Sequence, residues 1–226
     1  LLPLAKKILL TNKMPKEFNE KYKNKICKVG NILRKEMINY SFVEKNNKEI
    51  FTILVLGGSQ GAEIFGKIIP TSIKMLKNNG YKIEINQQCI ETQRKSLVEF
   101  YEKNNVKKNI FDFKRNILDL ISKSDLAISR CGASTTAELV QTLTPFIAIP
   151  YPHSIDNHQY LNAKYHESKG CCWVMEQKNF SSINLCNLII EIISDKKKLK
   201  DIRENMKKND SKDVYIKIND VVKEFI

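Results

Sequence analysis

The sequence predicts an α/β protein with a doubly wound parallel sheet, and three observations support this fold class. Short apolar, β-branched runs such as FTILVLGG and PFIAIPYP recur along the 226 residues. Most of these runs are continuous rather than alternating, as expected of parallel strands that are buried on both faces. Amphipathic segments with helical spacing lie between them, which is the order of βαβ units. The expected architecture is Rossmann-like, with ligands bound at the carboxyl ends of the strands.

The strands are predicted from runs that are rich in β-branched and aromatic residues. In chain order these runs are KICKVGN, FTILVLGG, YKIEINQ, NIFDFK, DLAISRCG, PFIAIPYP and CCWVMEQ. A helix is predicted after FTILVLGG, and Pro70 within it is expected to kink or divide it. The last stretch, from Val214 to Ile226, has an apolar pattern of its own and is expected to pack away from the main sheet.

The composition is that of an ordinary globular protein with an excess of positive charge. Lys and Arg number 38 against 25 Asp and Glu, and the net charge of +13 would suit nucleic acid, an anionic membrane surface or a phosphorylated substrate. The alternative is a solvated surface, because much of the excess is Lys mixed with Asn. No nucleic-acid recognition motif accompanies the charge, so we expect no nucleic-acid partner. The six Cys residues lack the spacing of zinc ligands, and neither a metal nor a cofactor is expected.

The first candidate site is GGSQG, which joins a predicted strand to a predicted helix. Gly57, Gly58 and Gly61 allow positive φ and a close approach of a ligand to the backbone. The helix N-terminus after the loop offers unpaired N–H groups and the positive end of the helix dipole, which suit a phosphate. The loop is neither GxGxxG nor GxxxxGK(S/T), so neither a dinucleotide enzyme nor a P-loop NTPase is indicated. A tight turn without a ligand is the alternative.

Two later strand ends carry further candidate residues. In DLAISRCGASTTAELV a helix is predicted to start near Ser134, and Glu138 then faces the crevice, where a carboxylate can accept hydrogen bonds from two ribose hydroxyls. The alternative for Glu138 is an acid of the first turn that the helix dipole favours. In PFIAIPYPHSIDNHQY the polar cluster from Asp156 to Gln159 is expected to open a helix and to offer donors and acceptors for a sugar.

Together these segments resemble one family. LVLGGSQGA, ISRCGASTTAEL and IPYPHSIDNHQYLNAK are similar, in order and spacing, to the C-terminal half of the MurG family, bacterial N-acetylglucosaminyltransferases that form lipid II. These are GT-B enzymes of glycosyltransferase family 28. The resemblance extends with gaps from about Ala5 to Glu176, and VGNILR is similar to the GNPVR of the family's domain junction, with Ile32 where Pro is usual. It implies the donor-binding half of a GT-B fold.

The resemblance implies binding roles toward UDP-N-acetylglucosamine for residues of all three segments. The diphosphate is expected on Gly57, Gly58, Ser59, Gln60 and Gly61 with help from Arg34, the nucleotide on Ser129, Gly132 and Ala133, the ribose on Glu138, and the sugar on His158 and Gln159. His158 stands where some relatives have Gln. No catalytic base is identified in this chain, because the resemblance places the base in an N-terminal domain of which only the end is expected here.

The resemblance also implies a reaction and a location. The C4 hydroxyl of the muramyl sugar of lipid I, bound through the missing domain, attacks the anomeric carbon of the donor, inverts it and releases UDP. N–H groups and an arginine aimed at the leaving diphosphate are the expected source of rate enhancement. The sequence contains no DxD, so metal independence is a hypothesis. The expected location is peripheral, at the cytoplasmic face of the bacterial inner membrane, where the +13 charge is compatible with anionic lipids.

The expected organisation has three parts. Residues 1–33 are the end of the N-terminal acceptor domain and the junction, 34–208 the donor-binding domain, and 209–226 a helix that packs back on the N-terminal domain. Two functions are open at this point. One is the donor half of a peptidoglycan glycosyltransferase, and the other is a nucleotide-sugar binding module with no catalysis of its own unless a partner chain completes it.

Overall fold

The structure is a computed structural model, and it describes residues 2–11, 18–44, 49–58, 63–209 and 213–226. The strands are β1 Ile8–Leu10, β2 Ile26–Lys28, β3 Phe51–Leu56, β4 Ile83–Gln88, β5 Lys107–Phe111, β6 Leu126–Ser129, β7 Phe146–Ala148 and β8 Cys172–Val174. The α-helices are α1 Lys35–Ile38, α2 Glu63–Asn78, α3 Glu91–Lys103, α4 Ile117–Lys123, α5 Ala133–Gln141, α6 His158–Ser168, α7 Ser182–Ser194, α8 Lys196–Lys207 and α9 Val214–Lys223. Short 3-10 helices span Glu20–Lys25, Ile155–Asn157 and Gln177–Asn179.

The main sheet has six strands in the order β5-β4-β3-β6-β7-β8. Every neighbouring pair in it is parallel. The predicted doubly wound sheet is therefore confirmed, and the strand order reverses direction between β3 and β6. The run KICKVGN lies outside this sheet, because β2 pairs with β1 in a separate two-stranded parallel sheet.

Both faces of the main sheet are buried, which explains why its strands have continuous apolar sequences. Along β3, Ile53 and Val55 belong to one core cluster while Leu54 and Leu56 belong to the cluster on the opposite face. This division follows from the two-residue period of a strand. Each fully buried side chain of this size stabilises the fold by about 1.5–3 kcal/mol, so helices on both faces hold the strands in place.

The helix after β3 is longer than its proline suggested. α2 is continuous from Glu63 to Asn78 with Pro70 inside it, so the expected division of the helix is wrong. Ile69 and Ile73, on either side of the proline, are fully buried. Their packing on the core outweighs the backbone hydrogen bond that proline removes.

The last helix, α9, lies on the leading segment of the chain. The Tyr215 hydroxyl donates a hydrogen bond to the Leu33 carbonyl at 2.8 Å, and Lys7 pairs with Glu224 at 2.8 Å. The Lys6 ammonium also lies 5.2 Å from the centre of the Phe225 ring. These contacts agree with packing away from the main sheet, whereas the proposed domain boundaries stay a prediction. No helix in the described part of the chain is long and apolar enough to cross a membrane.

Candidate functional site

The topology brings two strand ends together where the strand order reverses. Leu56 and Ser129 are register partners at the ends of β3 and β6, so the following loops leave the sheet side by side. The Arg130 amide donates to the Leu56 carbonyl at 3.1 Å, which fixes the two chain segments at this point. Open α/β sheets bind ligands at this kind of switch point.

A cavity of about 1090 Å³ lies at this edge of the sheet. Its volume suits a ligand as large as a nucleotide sugar, since ligand sites span roughly 300–1,000 Å³. The loops after β3, β6 and β7 and the starts of three helices contribute to its wall. Its lining residues are Gly57, Gly58, Glu63, Ile64, Lys67, Arg130, Gly132, Ala133, Ser134, Thr135, Tyr151, His153, Ser154, Ile155, His158, Gln159 and Gln177.

The loop after β3 forms one wall. The Gly57 amide donates to Gln88 Oε1 at 3.1 Å, which ties the loop to the end of β4. Gly58 has a φ of +77°, and no heavy atom of the described residues lies within 4 Å of the position that a Cβ would take there. Glycine is thus required by its backbone conformation, and the open space lets a ligand approach. Ser59, Gln60 and Gly61, the other predicted diphosphate residues, lie outside the described residues.

The loop after β6 ends in a helix that points into the cavity. α5 begins at Ala133, one residue before the predicted start, and Gly132 is its N-cap without a side-chain cap bond. Gly132, Ala133, Ser134 and Thr135 all line the cavity. The first N–H groups of a helix have no partner within it, so this end presents donors and a positive partial charge.

The loop after β7 carries the predicted sugar ligands. The cluster from Asp156 to Gln159 is divided between two elements: Asp156 and Asn157 adopt left-handed backbone angles in a 3-10 turn, and α6 begins at His158. His158 and Gln159 line the cavity. His158 Nδ1 lies 2.8 Å from the Ile155 carbonyl. In the neutral ring Nδ1 therefore carries the proton, and Nε2 is the acceptor that a ligand hydroxyl would meet.

Gln159 joins two of the loops. Its Oε1 accepts hydrogen bonds from the amides of Cys131 and Tyr151, both at 3.1 Å. Because these bonds fix the carbonyl end of the side chain, the amide nitrogen Nε2 is the group left to donate to a ligand. The predicted sugar contact of Gln159 thus has a defined polarity, as a donor.

Arg130 is a cavity residue that was not singled out from the sequence. Its side chain is buried, with only 8% of the residue exposed. Nη1 donates to the carbonyls of Ile149 and Pro150 at 3.2 and 3.3 Å, and Nη2 donates to Gln177 Oε1 at 2.7 Å. Burial lowers the pKa of its guanidinium. A cation directly after a buried strand at the switch point was the signal in the sequence.

The charge of Arg130 is held by neutral groups. Its Cζ lies 5.0 Å from the centre of the Phe65 ring and 5.3 Å from that of Tyr151, both within cation–π range. Among the ion pairs found in the described ranges, none includes Arg130. Lys67, also on the cavity wall, does pair with Glu63, at 2.5 Å. The arrangement leaves a desolvated positive charge beside the cavity, which favours an anionic ligand.

The remaining predicted residues lie off the cavity wall. Ser129 is corrected: it is fully buried as the last residue of β6, its hydroxyl finds no hydrogen-bond partner in the described part of the chain, and it does not line the cavity there. Arg34 and Glu138 are paired with each other, with Nη2 3.0 Å from Oε1. Glu138 lies one helical turn beyond Ser134 and Thr135 on the same face of α5, so the pair lies next to the cavity.

A metal site is not formed by the side chains that can be located. Within the described ranges, no group of three or more His, Cys, Asp or Glu residues is placed to hold a metal ion. Burial raises the pKa of the Cys131 thiol behind the cavity to about 12. This thiol is therefore protonated and unsuited to metal binding or nucleophilic attack near neutral pH.

The sequence is similar to two curated relatives that share a name. A Rickettsia canadensis protein called UDP-N-acetylglucosamine--N-acetylmuramyl-(pentapeptide) pyrophosphoryl-undecaprenol N-acetylglucosamine transferase is 40% identical over 207 residues, which covers 90% of this chain and 58% of the relative. The Pelagibacter ubique protein of that name is 36% identical over 227 residues, covering 99% of this chain and 63% of the relative. The chain thus spans less than two thirds of the length of these relatives.

The fold and a family model agree with this similarity. The crystal structure of Acinetobacter baumannii MurG matches with a TM-score of 0.79 at 21% identity, covering 98% of this chain and 62% of the other, which supports the GT-B type of α/β fold. The model of the glycosyltransferase family 28 C-terminal domain matches residues 52–218. This range contains the three loops of the cavity. The chain therefore belongs to glycosyltransferase family 28, of which it carries the C-terminal domain.

Proposed function

We propose that this chain is the donor-binding half of an inverting glycosyltransferase. It would hold UDP-N-acetylglucosamine for transfer to the C4 hydroxyl of the muramyl sugar of lipid I. The observation that carries the proposal is the cavity of about 1090 Å³ where three loops meet at the switch point of the sheet. The names of the family relatives supply the chemical identity, UDP-N-acetylglucosamine as donor and an N-acetylmuramyl-(pentapeptide) pyrophosphoryl-undecaprenol as acceptor.

The diphosphate would lie against the loop after β3 and the N-terminus of α5. Gly58 leaves open space at its Cα, Ala133 starts the helix, and the Arg130 guanidinium lines the same wall. Two of the five N–H groups of an arginine are left once the three described bonds of Arg130 are made. A charged donor contributes about 1.5–3 kcal/mol per hydrogen bond. These groups would stabilise the charge that develops on the leaving diphosphate.

The nucleoside and sugar would extend from the diphosphate along the two later loops. Glu138 would accept hydrogen bonds from the ribose hydroxyls once Arg34 releases it. Gln159 would donate from Nε2 to a sugar oxygen, and His158 would accept at Nε2. Each contact uses the end of the side chain that its other hydrogen bonds leave free.

The transfer itself needs a group from outside this chain. The acceptor oxygen forms a bond to the anomeric carbon while the bond from that carbon to the β-phosphate oxygen breaks, and its electron pair leaves with UDP. The acceptor proton goes to a general base. His158 is the histidine at the predicted sugar position, and its Nδ1 is held by a backbone carbonyl. We assign the base and lipid I binding to an N-terminal domain of the kind that the family carries.

The leading segment and α9 would connect to that domain. Leu4, Ile32, Ile216 and Phe225 are exposed apolar side chains on residues 1–33 and 209–226. Covering them with the N-terminal domain would bury this surface and close the donor cavity against the acceptor. The assembled enzyme would act at the cytoplasmic face of the inner membrane as a peripheral protein, which is where its lipid-linked acceptor lies.

A second candidate is a nucleotide-sugar binding module without catalysis of its own. The observation that favours it is the chain's span of 58–63% of the relatives' length. Calorimetric titration of the purified chain with UDP-N-acetylglucosamine tests both functions, and we expect saturable binding with a one-to-one stoichiometry. Absence of binding would contradict both.

A transfer assay then separates the two. The acceptor domain of a close relative is added in trans with lipid I and radiolabelled donor. Lipid II formation that depends on both components supports the enzyme half, whereas binding without transfer favours the module. The same assay with and without EDTA tests the hypothesis of metal independence, which predicts equal rates.

A further inference from the structure

Two residues predicted to hold different parts of the ligand are bound to each other in this structure. Arg34 Nη2 donates to Glu138 Oε1 at 3.0 Å, across 104 positions of sequence. Nη1 of the same guanidinium donates to the Arg115 carbonyl at 3.0 Å and lies 3.3 Å from Glu36 Oε1. The side chain of Arg34 is 41% exposed and that of Glu138 only 16%. Glu138 is therefore a mostly buried carboxylate whose charge is balanced by a movable cation.

The position of the pair sets up a competition with the ligand. Ser134 and Thr135 line the cavity, and Glu138 follows one turn later on the same face of α5. A ribose diol that reaches Glu138 must share or displace the Arg34 guanidinium. A displaced arginine is a costly loss unless it meets another anion. A ligand phosphate within reach of Arg34 would supply that anion.

We propose that Arg34 is a specificity-determining residue that makes the site select nucleotides with phosphate over the bare nucleoside. Its pairing with Glu138 lowers the affinity for any ligand that offers ribose hydroxyls alone. A ligand that carries a phosphate as well releases Glu138 and re-pairs Arg34 in one exchange. This inference rests on the proposed function, because it takes Glu138 as the ribose acceptor.

A purely structural role for the pair predicts a different outcome. Arg34 begins α1, whose Met37 is fully buried, and Leu33 beside it receives the hydrogen bond from Tyr215. If the pair served only to fix this segment on α5, its loss would loosen the site and weaken all ligands by a similar factor. The sign of the change for uridine therefore distinguishes the two roles.

The test compares uridine and UDP on the wild type and on Arg34→Gln. Affinities are measured by calorimetry for UDP and by chemical-shift titration for the weaker uridine. We expect Arg34→Gln to tighten uridine about two- to fivefold, the range for release from a partly exposed ion pair. We expect it to weaken UDP about three- to tenfold, because one charge-assisted contact is lost. Equal weakening of both ligands, or an unchanged uridine affinity, would overturn the inference.

Two further variants sharpen the result. Lys35→Gln removes the same charge at the neighbouring exposed position and is the matched control, with both affinities expected to stay at the wild-type values. In a Glu138→Gln background, Arg34→Gln should no longer tighten uridine, because the competing pair is already gone. Tightening that persists there would contradict the exchange. A wild-type chain that binds UDP but lacks these differences refutes this inference alone, whereas no UDP binding refutes the proposed function.

Discussion

Replacing Arg130 by Met should separate the anion-binding role of this residue from its structural one. The substitution keeps an unbranched, apolar chain between the Phe65 and Tyr151 rings and removes the charge. It also leaves the acceptors Ile149 O, Pro150 O and Gln177 Oε1 without their donor. We expect the free energy of unfolding to fall by about 2–4 kcal/mol, from two cation–π contacts and the unpaired acceptors.

The effect on binding follows from the charge. A charged hydrogen bond to the diphosphate contributes about 1.5–3 kcal/mol, which is about a 10- to 100-fold change in the Kd of UDP. Uridine, which has no phosphate, should lose much less. Calorimetry at a temperature where the variant is fully folded measures both ligands, and chemical denaturation measures stability separately.

A matched control is available in Arg203. This arginine is also partly buried with a lowered pKa, and its Cζ lies 5.4 Å from the centre of the Phe42 ring. It does not line the cavity formed by the described residues. Arg203→Met should therefore reduce stability and leave the UDP affinity unchanged. If both variants weaken UDP and uridine by one common factor, the loss reflects stability and the reasoning about the Arg130 charge is wrong.

Three other predictions concern single positions. Gln159→Glu keeps acceptors for its two backbone amides but removes the Nε2 donor, so calorimetry should show a larger loss for UDP-N-acetylglucosamine than for UDP; equal losses would contradict the sugar contact. Burial lowers the pKa of His166 to about 4, below the unfolded value of about 6.5. Protons therefore favour the unfolded state as the pH falls from about 6.5 to 4, and urea denaturation should show about 2 kcal/mol less stability at pH 5 than at pH 7 from this group. His166→Gln should remove that difference and His153→Gln should retain it; the opposite pattern would refute the assignment. Gly58→Ala should cost about 1–2 kcal/mol of stability because of its φ of +77°, whereas Gly132→Ala, with a φ of −64°, should cost little; equal costs would show that strain is not the reason.

The fold and the positions of the loops were predictable because they depend on local patterns. Continuous apolar runs identified the six strands of the main sheet, and glycine and proline at their ends identified the loops. The parallel βαβ rule then brings the carboxyl ends of those strands to one edge. Gly58, Gly132, His158 and Gln159 consequently lie on the wall of one cavity, as the motifs indicated.

Tertiary partners were not predictable in the same way. Arg34 and Glu138 are 104 positions apart, and their pairing depends on how the leading segment lies on α5. The enclosure of Arg130 requires rings from α2 and from the loop after β7, two elements distant in sequence. The burial of Ser129 depends on where β6 ends, and one residue decides whether a side chain lies in the sheet or in the cavity. Packing across elements, rather than local pattern, determines these three features.

A crystal structure of this chain with UDP-N-acetylglucosamine tests the central claim most directly. We predict the diphosphate within hydrogen-bond distance of the Arg130 guanidinium and of backbone N–H groups at Gly58 and the start of α5. We also predict the ribose on Glu138, with its ion pair to Arg34 broken, and the sugar against Gln159. A nucleotide bound elsewhere, or one whose diphosphate points away from Arg130, would contradict the assignment of this cavity as the donor site.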